Sequence, residues 1–288
     1  MLKKICIVPV CYNAYEDAVR FLSSVDFAFN ACPDLELDVI LADNSTIVPA
    51  MDIASRQYAY TFRYLKNDNI GYFPAFNKAL ATLAQGVKDY DFIVVCNVDL
   101  VVAKDFFTVL LSHSVGSEAG LIAPGIFSDK DGRDLNPKMM HRPSARKINF
   151  MRLVCSNVVL FRWYHKLVRM REQTRSRAQQ RDRGVGNKTM TVSSPQPQMY
   201  GAHGSFMIFT RRFFAKGADV AYPRFLFGEE GFVAEQLRRH ALSIEHVPSV
   251  RVFDKEHAST SQVKLDFICA EHKKSYDYFY THFLKDRS

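Results

Sequence analysis

The chain has 288 residues, 48% of them apolar, and carries 38 Lys and Arg against 30 Asp and Glu, a net charge of +8. That length suits one large or two small domains with a sizeable core, and the absence of any run of 18 apolar residues excludes a bilayer-spanning helix. Six cysteines (Cys6, Cys11, Cys32, Cys96, Cys155, Cys269) show no C-x-x-C pairing, so they read as buried reduced thiols of a cytosolic protein rather than disulfides or zinc ligands.

In chain order, Met1-Leu2-Lys3-Lys4 runs straight into a strand, Lys4–Val10, which reads as a start without a signal peptide. Helix is predicted over Ala14–Phe29, strand over Leu37–Ala42, a short helix over Pro49–Tyr58 and strand over Thr61–Leu65. A helix over Pro74–Ala84 opens at a proline, Phe92–Cys96 is a continuous apolar strand, Lys104–Ser114 is helical and Gly120–Ala123 is a short strand. Further on, Ser205–Thr210 is strand, Glu230–His240 helix, Ser243–His246 and Val250–Phe253 short strands, and Val263–Leu284 a terminal helix. Gly184–Pro197 reads as loop. Alternating strands and helices predict an α/β fold with a mainly parallel sheet.

Between Lys138 and Lys188 there are 14 Lys and Arg against only Glu172 and Asp182, a local +12 that leaves the rest of the chain at −4. A basic segment is thus inserted into a mildly acidic body. Its apolar stretch Ile148–Tyr164 is too interrupted to span a membrane but suits one lying in the interface plane, with Arg152, Arg162, Lys166 and Arg169 snorkelling and Trp163 and Tyr164 at headgroup level. The alternative is a helical pair packed on the body with a solvated basic face. The Arg175–Arg183 run suits phosphate contact, yet no nucleic-acid recognition module surrounds it.

The strand ends carry the chemistry. In open α/β sheets ligands bind at the carboxyl ends of the strands. The first strand ends Val10-Cys11-Tyr12-Asn13-Ala14, with none of the glycines of a dinucleotide loop, and no P-loop follows elsewhere. Any nucleotide phosphates must therefore be met by something else. Asn97-Val98-Asp99 follows the apolar strand directly, so Asp99 is placed to hold a hard cation against a diphosphate; the alternative is that Asn97 and Asp99 cap the next helix. Asp43-Asn44-Ser45 ends the second strand on the same edge, where ordinary turn chemistry is the competing reading.

These blocks resemble a family. Cys11-Tyr12-Asn13, Asp43-Asn44-Ser45, Asn69-x-Gly71 with Asn77, and Asn97-x-Asp99 follow in the order of the family 2 inverting glycosyltransferases of the GT-A fold, and bacterial O-antigen and surface-polysaccharide enzymes are the nearest in flavour. Gly201-Ala202-His203-Gly204 looks like the family's acceptor-side strand, and Phe225-Leu226-Phe227-Gly228-Glu229-Glu230, with Ser259-Thr260 downstream, like its catalytic acid block. The likeness covers residues 4–128 and 199–262.

It implies a GT-A-like domain made of 1–137 (nucleotide-sugar half) and 199–262 (acceptor and catalytic half), with a basic insertion at 138–198 and a terminal helix at 263–288. Nucleotide-sugar contacts would fall to Val10, Tyr12, Asn13, Asp43, Asn44, Asn69, Gly71, Asn77, Asn97 and Asp99, with Asp99 also reaching the diphosphate through Mg²⁺ or Mn²⁺. Glu230 or Glu229 would be the general base, and His203, Gly204 and His257 would face the acceptor. The implied reaction moves a sugar from a UDP- or dTDP-sugar to a lipid-linked saccharide at the inner face of an anionic cytoplasmic membrane. Two departures stand out. One carboxylate of the usual Asp-x-Asp is an asparagine, which weakens the expected metal dependence, and the usual histidine slot falls near Asp254, with His257 either its substitute or a surface residue. The competing functions are a nucleotidyltransferase, which would need a glycine-rich basic first loop, and a non-catalytic membrane-surface binding protein on a degenerate transferase fold.

Overall fold

The structure, a computed structural model, describes residues 2–48, 52–168, 170, 199–255 and 264–285. The chain forms two compact units, one from Met1–Arg142 with Gln198–Ser259 and one from Pro143–Pro197 with Thr260–Ser288.

The first unit is built on one eight-stranded sheet of order β3-β2-β1-β4-β7-β6-β8-β5. Its strands are β1 (Lys3–Cys11), β2 (Leu35–Asp43), β3 (Thr61–Lys66), β4 (Phe92–Asn97), β5 (Leu100–Val102), β6 (Ala119–Ser128), β7 (Phe206–Thr210) and β8 (Ser243–Asp254). β3, β2, β1 and β4 run parallel, and β6 runs parallel to β8. β7 lies antiparallel between β4 and β6, and β5 closes antiparallel on β8. The β-branched and aromatic residues of β1, β4 and β7 are almost all fully buried, which is why their sequences read as unbroken apolar runs rather than alternating ones. Helix α1 (Tyr15–Asn30) buries Tyr15, Ala18, Phe21, Leu22, Val25 and Ala28, a three-and-four spacing that lays one stripe on the sheet. The remaining helices of this unit are α2 (Tyr72–Leu80), α3 (Phe106–Ser112), α6 (Arg211–Ala215) and α7 (Glu229–Arg239).

Several expected elements come out differently. Residues 52–58 form no helix, because the Asp52 carboxylate accepts the N–H groups of Ala54 and Ser55 and the Ser55 hydroxyl, a local turn that competes with helical bonding; Pro49 lies outside the described residues. α2 opens two residues before Pro74, which still falls in the first turn where its missing N–H is not needed. The two short strands expected over Ser243–Phe253 are one strand, β8, with an irregularity where its pairing to β6 shifts. After Asp99 the chain enters β5, and α3 starts only at Phe106, so neither Asn97 nor Asp99 caps it.

The second unit is helical. α4 (Ala145–Val154) is capped by the Ser144 hydroxyl, which accepts the Lys147 N–H. Residues 158–168 form α5, and α8 (Leu265–Phe279) runs on into a π-helical turn over Tyr280–Leu284. Met151, Val154, Cys155, Phe161 and Cys269 make its core, with Tyr164, Leu265, Ile268 and Tyr276 packed around them. Gly184–Pro197, Arg169 and the Arg175–Arg183 run lie outside the described residues. All six cysteines are free and buried.

One buried carboxylate fixes α7. Glu235, fully buried, accepts Arg142 Nε at 2.6 Å and Nη2 at 3.1 Å, the Tyr200 hydroxyl at 2.6 Å and Arg238 Nε at 3.2 Å. Burial alone would raise its pKa, but the hydrogen bonds from Arg142 and Tyr200 outweigh that and hold it below the usual glutamate value. Glu235→Ala is expected to cost about 3 kcal/mol, since it strands the partly buried Arg142 without a counter-charge. Because the folded pKa is depressed, Glu235 stabilises the protein above the ordinary glutamate pKa, and that contribution disappears as pH falls through the folded value. Urea unfolding of wild type and Glu235→Gln from neutral to acid pH checks this: the gap between them should narrow as pH falls.

Candidate active site

Parallel pairing places Cys11, Asp43, Lys66 and Asn97 on one edge, with Val10 opposite both Ala42 and Asn97. Because β7 runs antiparallel, its beginning meets the end of β4 at the same edge, and the Asn97 N–H donates to the Ser205 carbonyl at 2.9 Å. Two groups of residues assemble there.

The first surrounds Asp43. Its Oδ1 accepts the Ser45 N–H at 2.9 Å, and its Oδ2 accepts the Tyr15 hydroxyl at 3.0 Å, the Tyr64 hydroxyl at 2.5 Å and Lys66 Nζ at 3.0 Å. Burial would raise its pKa, yet the hydrogen bonds from Ser45, Tyr64 and Lys66 hold it low. Asp43 is therefore a fully buried carboxylate occupied by the protein itself, holding Tyr64 and Lys66 at the edge. Asn13, at φ 53°, stitches two loops together, accepting the N–H groups of Thr46 and Ile47 on its Oδ1. Tyr12 beside it is exposed. Asn44 donates to the Gly71 carbonyl at 2.9 Å, while its Oδ1 is buried and has no partner among the described residues. Asn67, 4% exposed at the end of β3, has neither amide atom paired among them. Buried amides left open at a sheet edge are what a polar ligand or ordered water would satisfy.

The second group is acidic. α7 opens from Gly228 in the left-handed region at φ 88°, and Glu229 and Glu230 form its first turn. A Cβ on Gly204 would stand 3.0 Å from Glu230 Oε1 and 3.1 Å from Glu229 Oε1, so the bare glycine lets both carboxylates reach the backbone. Tyr72 donates to the Gly204 carbonyl at 2.9 Å. Its hydroxyl is held well above the usual tyrosine pKa by burial, then by Cys96 and the charges of Glu229, Glu230 and Asp99. Burial and the neighbouring Glu230 push Glu229 up to about 8, partly offset by Lys138. Glu229 nonetheless keeps some surface exposed.

His203 borders this group. Its Nδ1 lies 2.8 Å from Ser205 Oγ, Lys138 Nζ is 3.4 Å from its Nε2, and its backbone N–H donates to Asn136 Oδ1 at 2.8 Å. Burial and the Lys138 charge lower its pKa to about 4, so the ring is neutral near pH 7.

Gly71 joins the two groups. It sits at φ 99°, and a Cβ there would meet Phe225 Cα at 2.7 Å, while the next residue's N–H donates to the Phe225 carbonyl at 3.1 Å. The loop leading to Glu229 is thus pressed against the start of α2. Asn69 is half-buried in the preceding loop, and Asn77 is exposed farther along α2. His257 and Ser259-Thr260 lie outside the described residues. Sequence reasoning passed over Lys66, Tyr64, Asn67, Tyr72 and Lys138. The first three follow from the same edge rule that found Asp43, whereas Lys138 comes from a distant loop and carried no local signal.

No cluster of three His, Cys, Asp or Glu able to hold a metal occurs among the described residues. A divalent cation here would draw on Asp99, the Asn97 amide and a ligand's own phosphate oxygens, a donor set that suits Mg²⁺ or Mn²⁺, which commonly take only one or two carboxylates from a protein.

The mixed sheet with its loaded carboxyl edge defines the class: this is the GT-A fold. No protein-family model matches the sequence, and no curated protein matches it. Among solved structures the chain is similar to GalNAc-T7 with UDP, GalNAc and Mn²⁺, at TM-score 0.51 and 12% identity, over 100% of this chain and 52% of that one. It is also similar to residues 1–349 of S. aureus TarS (TM-score 0.49, 10% identity, 99% of this chain, 73% of that one). A third is the catalytic domain of Drosophila β1,4-galactosyltransferase 7 (TM-score 0.41, 10% identity, 85% of this chain, 64% of that one). The GalNAc-T7 likeness carries the fold assignment, and the chain spans about half of that protein's length.

Gly71→Ala is expected to destabilise the protein by at least about 1–2 kcal/mol from the left-handed backbone alone, and by more from the clash with Phe225. Urea unfolding measures it, and an unchanged midpoint would show that the approach of the two loops relaxes freely.

Proposed function

We propose that this protein is an inverting glycosyltransferase of the family 2 type, moving a sugar from a UDP- or dTDP-sugar to a hydroxyl of a lipid-linked saccharide in the assembly of a bacterial surface polysaccharide such as O-antigen. dTDP-rhamnose is one donor of this class. The observation that supports the reading is the approach of Glu229 and Glu230 to Gly204, whose carbonyl Tyr72 bonds, near the sheet edge where β4 ends at Asn97 and where Asn44 Oδ1 and the Asn67 amide have no partner among the described residues.

A sugar hydroxyl is a poor nucleophile, so a carboxylate must take its proton as the new bond forms. Glu230 or its neighbour Glu229, the two acids that reach Gly204, takes that role in this reading, and burial with the adjacent Glu230 charge pushes Glu229 up. His203, neutral and held by Ser205, is available to hydrogen-bond an acceptor oxygen without adding charge. Lys66 and Tyr64, gathered by Asp43, and the amides of Asn44 and Asn67 form a polar rim for the nucleoside. GalNAc-T7, which shares the fold, was solved with UDP, GalNAc and Mn²⁺, and this supports a nucleotide-sugar donor and a divalent metal in the reading. Held by Asp99 and the donor, Mg²⁺ or Mn²⁺ would offset the charge that develops on the leaving diphosphate.

Thermal unfolding with UDP, dTDP, GDP and CMP, with and without Mn²⁺, tests donor binding: a nucleotide at about 100 times its Kd adds roughly 2.7 kcal/mol of stability. A shift with UDP or dTDP is expected, and no shift with any of the four would remove the transferase reading. Asp99→Ala should lose the metal-dependent part of that shift. Glu230→Gln should keep the shift and lower transfer about 10²–10⁴-fold. Because Glu229 is pushed up to about 8, a kcat/KM that climbs toward pH 8 would give the base role to Glu229, and a profile flat over that range would give it to Glu230.

A further inference from the structure

The helical unit carries an apolar face with no protein cover among the described residues. α5 has two apolar stripes. One, through Phe161 and Tyr164, packs into the core of the unit. The other is Leu160, Trp163 and Leu167, spaced three and four apart with Val159 beside them, and all four are exposed, Trp163 by 60%. A helix apolar on two sides normally buries both. α4 extends the exposed side: Phe150 and Leu153 point away from its buried Ile148, Met151 and Val154, and the Phe150 ring meets Tyr164 of α5 edge-on at 6.1 Å.

We infer that this face docks the unit onto an anionic lipid bilayer. The charges around it select that occupant. Arg146 lies one turn before Phe150, and Arg162 and Lys166 flank the Trp163 stripe, all three exposed. Lys166 Nζ reaches over the Trp163 ring at 5.7 Å, the posture of a cation lifting its head out of an apolar layer. From Leu135 to Arg171 the chain has no acidic residue at all. Arg152 takes no part, because it is bound within the unit to Asp277 at 2.6 Å and stacked on Tyr280 at 4.5 Å. A second copy of the chain is a poor occupant, since a two-fold contact would set the same cations against each other. An anionic bilayer offers the opposite charge and an apolar layer at the depth of the exposed side chains. None of the described helices is long and apolar enough to cross it, so the unit lies on the membrane. Docking does not rest on the transferase reading, and it would bring a lipid-linked acceptor to the same surface.

Trp163 is the sole tryptophan of the chain, so its fluorescence reports this face alone. The full chain is mixed with vesicles of phosphatidylcholine, or of phosphatidylcholine and phosphatidylglycerol in equal parts. Sedimentation with the anionic vesicles only, a blue shift of Trp163 emission and its quenching by acyl-chain bromine are expected, along with weakening as salt is raised. Arg162→Glu with Lys166→Glu should weaken binding by about thirtyfold or more, at roughly 1 kcal/mol per basic residue removed. Leu160→Glu with Leu167→Glu should abolish it, with the unfolding midpoint held to confirm that the variant folds. Three results would overturn the inference: no binding to anionic vesicles; binding that leaves Trp163 emission unchanged; or self-association without lipid that Leu160→Glu with Leu167→Glu removes, which would make the face a contact between copies.

Discussion

The antiparallel seating of β7 against β4 is the constraint on which the candidate site depends. In a wholly parallel sheet each strand brings only its carboxyl end to the ligand edge. Reversing β7 brings a beginning there instead, so Ser205 lies beside Asn97, with Gly204 next to it in the chain. The missing side chain of Gly204 then admits Glu229 and Glu230. The end of β4 and the start of β7 thus share one seam, and no flexible loop has to bridge them. α7 is held from below by Glu235 and pressed from the side by the contact of Phe225 with Gly71, so the acids are delivered on a helix rather than a loop.

The two halves of the edge are in opposite electrostatic states. Around Asp43 every charge is answered: two hydroxyls, an ammonium and a backbone N–H converge on one carboxylate, and its pKa falls. Around Gly204 two carboxylates, Glu229 and Glu230, lie side by side with Lys138 as a partial counterweight, and burial with the neighbouring charge pushes Glu229 up. The first arrangement is what folding favours. The second is costly for a structural purpose, and such local conflict is expected where a protein keeps groups ready for a ligand or a reaction.

How much of this the sequence discloses depends on the range of the interaction. The strands were legible because burial on both faces gives unbroken apolar runs, and the edge residues Asp43, Asn97 and Asp99 followed from where those runs stop. Gly71 was legible as a position needing a free backbone, though not as one touching Phe225. The helix expected after Pro49 failed on a side chain that satisfies its own backbone, a competition that periodicity does not register. Asp43 was identifiable as an edge carboxylate, but Lys66, Tyr64 and Tyr15 had to be folded onto it before its inward role emerged. Lys138 and Arg142, read as part of a basic segment, belong to the sheet unit and serve Glu229, His203 and Glu235. Composition marks where charge is dense, but it does not say which charges the fold has already spent.

The free thiols have one more consequence. Cys6, Cys11, Cys32 and Cys96 belong to the sheet unit, and Cys155 and Cys269 to the helical one. Burial pushes Cys11 up to about 11 and Cys155 up to about 12, so neither offers a reactive thiolate while folded. An alkylating reagent would therefore wait for each unit to open before marking it. Mass analysis of the tagged peptides would give two independent clocks of breathing in one molecule, without introducing a single foreign label.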